Sequence, residues 1–470
     1  MLKTFLNVFK VPELRNKVLF TLFMLLIYRI GYHIPIPGAD QDAFAEMAAR
    51  QAEDQTAAGR LAAYVSLFSG GSLSQSTIFG LGVMPYISAS IIMQLLTTVI
   101  PALERLKKEG QTGQRKIQEY TRFLTVPLCL VQAIMWLSFM QSQKLVSPGM
   151  QDTMSFWVVG TLCLTAGSIF LMWAGEQIDE YGLGNGISLI ILAGIVARMP
   201  SAIVEMINLT SFSAGAGGGE KPLTVGHVIL LIAAFLVVVA GAIWVTQAQR
   251  RIPIQQAKHT RGRRVYGGQK QYLPLRVNHG GVMPIIFAQS LMLFPGMLLD
   301  VMAASLRPAE GQSAGWFAGF IGFLQSQFGF GQFLYVMTEV ILIYFFAYFW
   351  TTVQFQPKEI ANQLRDYGSF IPGLRPGKRT AEYLEKVMMH ITYVGASFLC
   401  IIAVVPIFVT TATGIPYTIS AFIGGTGLLI CVSVSLDIVQ RIEANLLMRN
   451  YSGFLAEGGA KGKRIKGRQF

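Results

Sequence analysis

Apolar residues along this chain do not alternate; they gather into long runs, each bounded by polar residues or by glycine and proline. A run of roughly twenty apolar residues is the length an α-helix needs to cross the hydrocarbon core of a bilayer. Ten such runs can be drawn, at residues 18–32, 78–100, 123–141, 154–175, 184–207, 225–246, 281–303, 333–353, 387–408 and 417–437. The pattern predicts an all-α polytopic membrane protein with ten transmembrane helices.

Composition agrees, since 52% of the 470 residues are hydrophobic and 13% charged, where soluble domains carry roughly 25% charged residues. Charge gives this picture a direction. Of the 38 Lys and Arg, 31 fall in five segments, residues 1–17, 105–122, 250–276, 358–386 and 441–468. Counting helices puts all five on one side of the membrane. The positive-inside rule makes that side the cytoplasm and predicts that both termini lie there. The net charge of +13 is thereby explained by topology, and no nucleic-acid-binding motif accompanies it. The N-terminal MLKTFLNVFK has apolar residues at helical spacing among lysines, which predicts a helix lying on the membrane surface.

A short echo divides the chain. Gly82-Val83-Met84-Pro85, followed by Ile87 and Ala89, recurs as Gly281-Val282-Met283-Pro284 with Ile286 and Ala288. The copies open the second and the seventh run, the second of each set of five. By the charge map those two helices run in opposite directions, which is the signature of an inverted repeat. Two inverted, pseudo-symmetric five-helix halves around a central pore are expected. The halves are 1–210 and 211–437, with large cytoplasmic loops at 248–280 and 354–386 and a basic tail at 438–470.

Candidate chemistry is sparse. Cys129, Cys163, Cys400 and Cys431 all sit inside apolar runs and form no CxxC pair, and the five histidines have no metal-ligand spacing, so no metal, cofactor or catalytic site is expected. Arg29 and Glu339 lie within the runs, with Glu176, Asp300 and Asp437 near ends. An ion-coupled transporter usually carries more acidic groups at mid-membrane. A protein-conducting channel, a secondary transporter of small solutes and a poreless scaffold all remain open at this point.

Two loop regions stand out. Residues 64–81, YVSLFSGGSLSQSTIFGL, are too polar and Gly/Ser-rich to span, and fit either an outer loop or a short segment dipping back where protein covers its backbone. Residues 250–276 combine β-branched residues, a Gly-Gly turn and Pro274, predicting a partly ordered cytoplasmic hairpin. Their length exceeds that of ordinary connections and points to a docking partner. Residues 41–60 and the Gly-rich 213–221 suggest no role.

Residues 76–96, STIFGLGVMPYISASIIMQLL, and 172–191, MWAGEQIDEYGLGNGISLII, resemble the two signatures of the SecY family, the channel of the Sec protein translocon. RGRRVY at 261–266, LPLRVN at 273–278, FIPGLRPG at 370–377 and FIGGTGLLI at 422–430 extend the resemblance over essentially the whole chain. It implies a channel, not an enzyme, that moves unfolded secretory proteins across the bacterial inner membrane and releases transmembrane segments sideways into lipid. It implies a pore ring of Val83, Ile87, Ile187, Ile191, Ile286 and Ile430, and a plug in the 64–80 segment carrying Leu67, Phe68, Ser69, Gly70, Gly71 and Ser72. The second, third, seventh and eighth helices would form a lateral gate. Arg261, Arg263, Arg264 and Arg375 would dock the SecA ATPase or the ribosome. SecE-like and SecG-like small membrane subunits, signal peptides, nascent polypeptides and anionic lipids are the remaining implied partners.

Overall fold

A computed structural model describes residues 11–44, 76–142, 145–147, 149, 154–211, 223–256, 259–261, 264–266, 270–278, 280–305, 316–328, 331–413 and 426–456. Helices α1 (Pro12–Gly31), α2 (Met84–Val99), α3 (Pro101–Lys108), α4 (Gln111–Ser142), α5 (Met154–Tyr181), α6 (Gly186–Leu209) and α7 (Val225–Gln247) are followed by α8 (Met283–Ser305), α9 (Trp316–Gln327), α10 (Phe333–Gln354), α11 (Pro357–Asp366), α12 (Lys378–Thr413) and α13 (Thr426–Ala456). A helix overlaps each of the ten apolar runs, but the helices over the first, third and ninth begin earlier, at Pro12, Gln111 and Lys378, and residues 417–425 of the tenth lie outside the described residues. Among the described residues six helices are long and apolar enough to cross a membrane, and α2 with α3 would make a seventh. The expected surface helix at 1–10 lies outside the described residues.

Helix limits follow local chemistry. Proline occupies the first turn of α1, α2, α3 and α11, where its fixed φ suits the helix and its missing N–H costs nothing. The residue before proline is pushed into the extended region. Ile100, ahead of Pro101, has φ −93° and ψ 113°, and α2 and α3 consequently meet at a 98° bend. The same device separates α10 from α11, where Gln356 before Pro357 is extended. The charged, amphipathic α3 is thereby turned off the axis of α2, whereas α10 and α11 run on together as one span over residues 333–366 despite the break at Gln356.

The helix neighbours repeat between the halves. α4 packs on α2 and α5, and α5 packs on α6 and α1; in the second half α10 packs on α8 and α12, and α12 packs on α13 and α7. The halves meet where α6 touches α13 and α2 touches α8. The repeated motif is a repeated structure as well. Gly82 and Gly281 have φ 57° and 58°, α2 and α8 both start at the following methionine, and the Ile87 and Ile286 amides donate to the Val83 and Val282 carbonyls at 3.1 and 3.2 Å. A left-handed residue is what turns the incoming chain onto each helix axis, and glycine adopts it without Cβ strain.

On the basic loops the expected hairpin is present and extended. After a short parallel pair, β1 (Thr210–Ser211) with β2 (Leu223–Thr224), strand β3 (Gln249–Gln256) pairs antiparallel with β6 (Lys270–Arg276), from Gln249↔Arg276 to Gln255↔Lys270. Strand β7 (Ser369–Phe370) adds to the other edge of β3, so the 248–280 and 354–386 loops share one sheet. Ile252, Leu275 and Ile371 pack on Leu384, Val387, Met388 and Ile391 of α12. β4 (His259–Arg261) and β5 (Arg264–Tyr266) form the hairpin tip. Pro274 sits on β6, an edge strand, where its missing donor is tolerated.

Replacing Gly82 or Gly281 by alanine should destabilise the protein by about 1–2 kcal/mol each, the cost of a Cβ in the left-handed region. Gly319→Ala, inside α9 where a Cβ meets open space, should leave the unfolding temperature of the detergent-solubilised protein unchanged or raise it slightly, because alanine favours helix over glycine.

Candidate functional site

Six side chains that lie far apart in sequence come together. Val83, Ile87, Ile191, Ile286 and Ile430 are buried in one continuous apolar cluster, and half-buried Ile187 packs against it. Val83 caps α2, and the other five lie in the first two turns of α2, α6, α8 and α13. The starts of four helices, two from each half, therefore converge on one apolar knot without a charged side chain among these six residues. Ile187 and Ile191 share a helix face because they are four residues apart.

Aromatic rings support the knot from both sides. The Tyr28 ring stacks on Phe79 at 6.3 Å, and Phe79 stacks on Phe170 at 5.8 Å. In the other half Phe287 meets Phe346 and Trp350 edge-on at 5.7 and 5.4 Å.

The 172–191 stretch forms the corner that aims Ile187 and Ile191. A Cβ at Gly186 would overlap the Gly175 carbonyl oxygen, so α5 and α6 cross there backbone to backbone. The Gly186 amide donates to Asp179 Oδ1 at 2.8 Å. Asn185 caps α6, its Oδ1 accepting from the Ser188 amide and hydroxyl, each at 2.9 Å, which satisfies a helix-start amide that has no partner in the helix. The Leu183 amide donates to Thr21 Oγ1 of α1 at 3.1 Å. On the neighbouring face Arg122 of α4 donates to Glu176 at 2.6 Å. These polar ties were not identifiable from sequence, because each joins residues that only folding brings together or that read as ordinary helix-end polar residues.

Residues 67–72 lie outside the described residues. The segment's end, residues 76–83, is a run of buried turns. The Ile36 amide donates to the Ser76 carbonyl at 2.8 Å and the Ile78 amide to the Ile34 carbonyl at 3.0 Å. Ser76 itself is left-handed, with φ 46°; its hydroxyl donates to Met140 Sδ at 3.1 Å and accepts from Trp136 Nε1 at 3.4 Å. Irregular backbone at this depth is covered by protein, as membrane burial requires.

The four arginines divide between the loops. Arg261 and Arg264 face each other in register at the joined ends of β4 and β5, and Arg263 lies outside the described residues. Arg375 is exposed beyond β7, and its carbonyl accepts from Thr380 Oγ1 at 2.9 Å.

The SecY family model matches residues 77–439. A protein translocase subunit SecY of Thermotoga maritima is 42% identical over 467 residues, covering 99% of this chain and 100% of that protein. The chain belongs to the SecY family. Its Thermus thermophilus counterpart is 41% identical over 98% of this chain. Among solved structures, a protein-conducting channel aligns over 93% of both chains with a TM-score of 0.55 at 20% identity. Sec61 in the canine ribosome-channel complex from the endoplasmic reticulum aligns with a TM-score of 0.52. At that identity the likeness is one of fold, and it makes the two-halved helical architecture that of the SecY family.

Asn185→Ala should lower stability by about 1 kcal/mol through the lost cap. Gly186→Val, which drives a side chain into the Gly175 backbone, should cost more, in the range of about 1–3 kcal/mol for overpacking. Thermal unfolding of the purified protein checks both.

Proposed function

We propose that this chain is the channel subunit of a bacterial protein translocase, set in the cytoplasmic membrane, which carries unfolded secretory polypeptides between its two halves and releases apolar segments sideways into lipid. The carrying observation is the end-to-end match at 42% identity to a protein translocase subunit. As a member of this family it is a channel and not an enzyme, and the small-solute transporter reading is not favoured.

Val83, Ile87, Ile187, Ile191, Ile286 and Ile430 form the waist of the path. Their gathering in one apolar cluster supports this reading. An aliphatic constriction offers an ion neither charge nor hydrogen bond, so it stays dry, while flexible isoleucines can pack around a passing chain of any sequence. Leu67 to Ser72 act as the plug above the waist. Helices α2, α4, α8 and α10 form the lateral gate, through which an apolar segment leaves because each buried CH₂ favours lipid by about 0.8 kcal/mol.

The halves are residues 1–210 and 211–437, both termini are cytoplasmic, and the joined sheet of the two basic loops faces the cytoplasm. Arg261, Arg263, Arg264 and Arg375 engage the SecA motor or the ribosome; the solved complex of a canine relative with a ribosome supports the second partner. SecE-like and SecG-like subunits complete the complex, and anionic lipid contacts the basic loops.

A photoreactive residue at Ile87 or Ile286 should crosslink to a precursor arrested in transit and not to one lacking its signal sequence. An arrested precursor that crosslinks at neither position would remove the waist reading. Glycine at two or more waist isoleucines should raise resting ion conductance of reconstituted vesicles several-fold. Arg264→Glu with Arg375→Glu should weaken motor or ribosome binding, and the wild-type contact should weaken with added salt, measured by co-sedimentation.

A further inference from the structure

Gln289 of α8 and Glu339 of α10 are both almost fully buried, at 4% and 2% exposure. Gln289 Nε2 donates to Glu339 Oε1 at 3.3 Å. The other two oxygens, Gln289 Oε1 and Glu339 Oε2, have no hydrogen-bond partner among the described residues. The surroundings offer no relief. Phe287, Ala288, Ile343 and Cys400 belong to the central apolar cluster, and the Cys400 thiol is spent on the Val340 carbonyl at 3.9 Å.

Gln289 follows Ile286 by three residues, so the two share a face of α8. Whatever wets or displaces Ile286 also reaches Gln289. We infer that the Gln289–Glu339 pair is a built-in bias toward opening: its polar atoms are under-satisfied while the waist is packed and gain partners from water or the transiting backbone once it parts. This rests on the waist reading above. An equilibrium moves only through interactions that differ between its two states, and an unpartnered buried oxygen disfavours only the packed one.

The sign of the effect separates this role from that of a simple fastener. Gln289→Leu alone strands the whole Glu339 carboxyl, and Glu339→Leu alone strands the amide, so each single variant should leak ions several-fold more than wild type. The double variant Q289L/E339L leaves nothing polar to satisfy. It should leak no more than wild type and export a precursor with a shortened apolar signal several-fold less, while a full-strength signal is still exported.

The reconstituted whole translocase is tested for resting conductance and for export of both precursors. A double variant that leaks like the singles would make the pair a fastener and overturn the proposal; one that exports the weak precursor as wild type does would overturn it too. Independently, Gln289→Cys should react with a water-soluble maleimide, above the unsubstituted background, only when an arrested precursor holds the channel open. Equal labelling at rest and when open refutes the bias. The Ile286 crosslink separates the two readings: if it forms while gating is unchanged, the pair alone fails, and if it does not form, the waist fails.

Discussion

Inside hydrocarbon there is no water to satisfy a backbone amide, so every N–H and C=O must find a partner in the chain itself. That constraint accounts for the run of helices from Pro12 onward and for the way the non-helical parts are built. Residues 76–83 carry turns at buried depth, and they do so with the Ile36 and Ile78 amides bonded to the Ser76 and Ile34 carbonyls and protein on their outer side. At the start of α8, Asn278 Nδ2 donates to the Gly281 carbonyl at 2.8 Å, holding another such turn. Where the backbone leaves the helix, glycine at positive φ or a proline-directed bend marks the place.

Helix starts do most of the functional positioning. Four of them bring the six residues of the apolar knot together, and three are set by local chemistry: the Gly82 and Gly281 turns for α2 and α8, and the Asn185 cap with the Gly175–Gly186 crossing for α6. Only α13 lacks such a description, since the residues before Thr426 are not among those described. A side chain in a first helical turn inherits its direction from the cap, so a modest error there would misaim an isoleucine by a large fraction of the knot's width. The polar ties around the 172–191 corner, to Thr21, Asp179 and Ser188, therefore help to aim the isoleucines of the knot.

The basic loops between the helices obey a different solvent and use a different element. Water can satisfy a strand edge, so the long basic loops are able to form sheet. The addition of β7 to β3 joins loops more than a hundred residues apart into one platform seated on α12, and a docking partner would meet a shared surface instead of two independent loops.

Much of this was legible beforehand, and the reason is that hydrophobic length, charge asymmetry and a repeated Gly-Val-Met-Pro are local properties. They determine that helices form and that α2 and α8 are equivalent, but not where every helix begins: the polar first turns of α1, α4 and α12, from Pro12, Gln111 and Lys378, leave no mark on hydropathy. The 250–276 hairpin was legible for the same reason, through its β-branched residues and turn. The repeated motif made Ile87 and Ile286 equivalent positions, but the gathering of Ile187, Ile191 and Ile430 was suggested by resemblance alone, since an isoleucine in an apolar run carries no sign of which neighbour it will meet. The Gln289–Glu339 bond, the Arg122–Glu176 pair and the pairing of β7 with β3 join residues 50 or more positions apart. Sequence by itself determined the elements and their membrane character, because those depend on residues a few positions apart; tertiary structure alone decided which side chains share the knot, because that depends on how the helices pack.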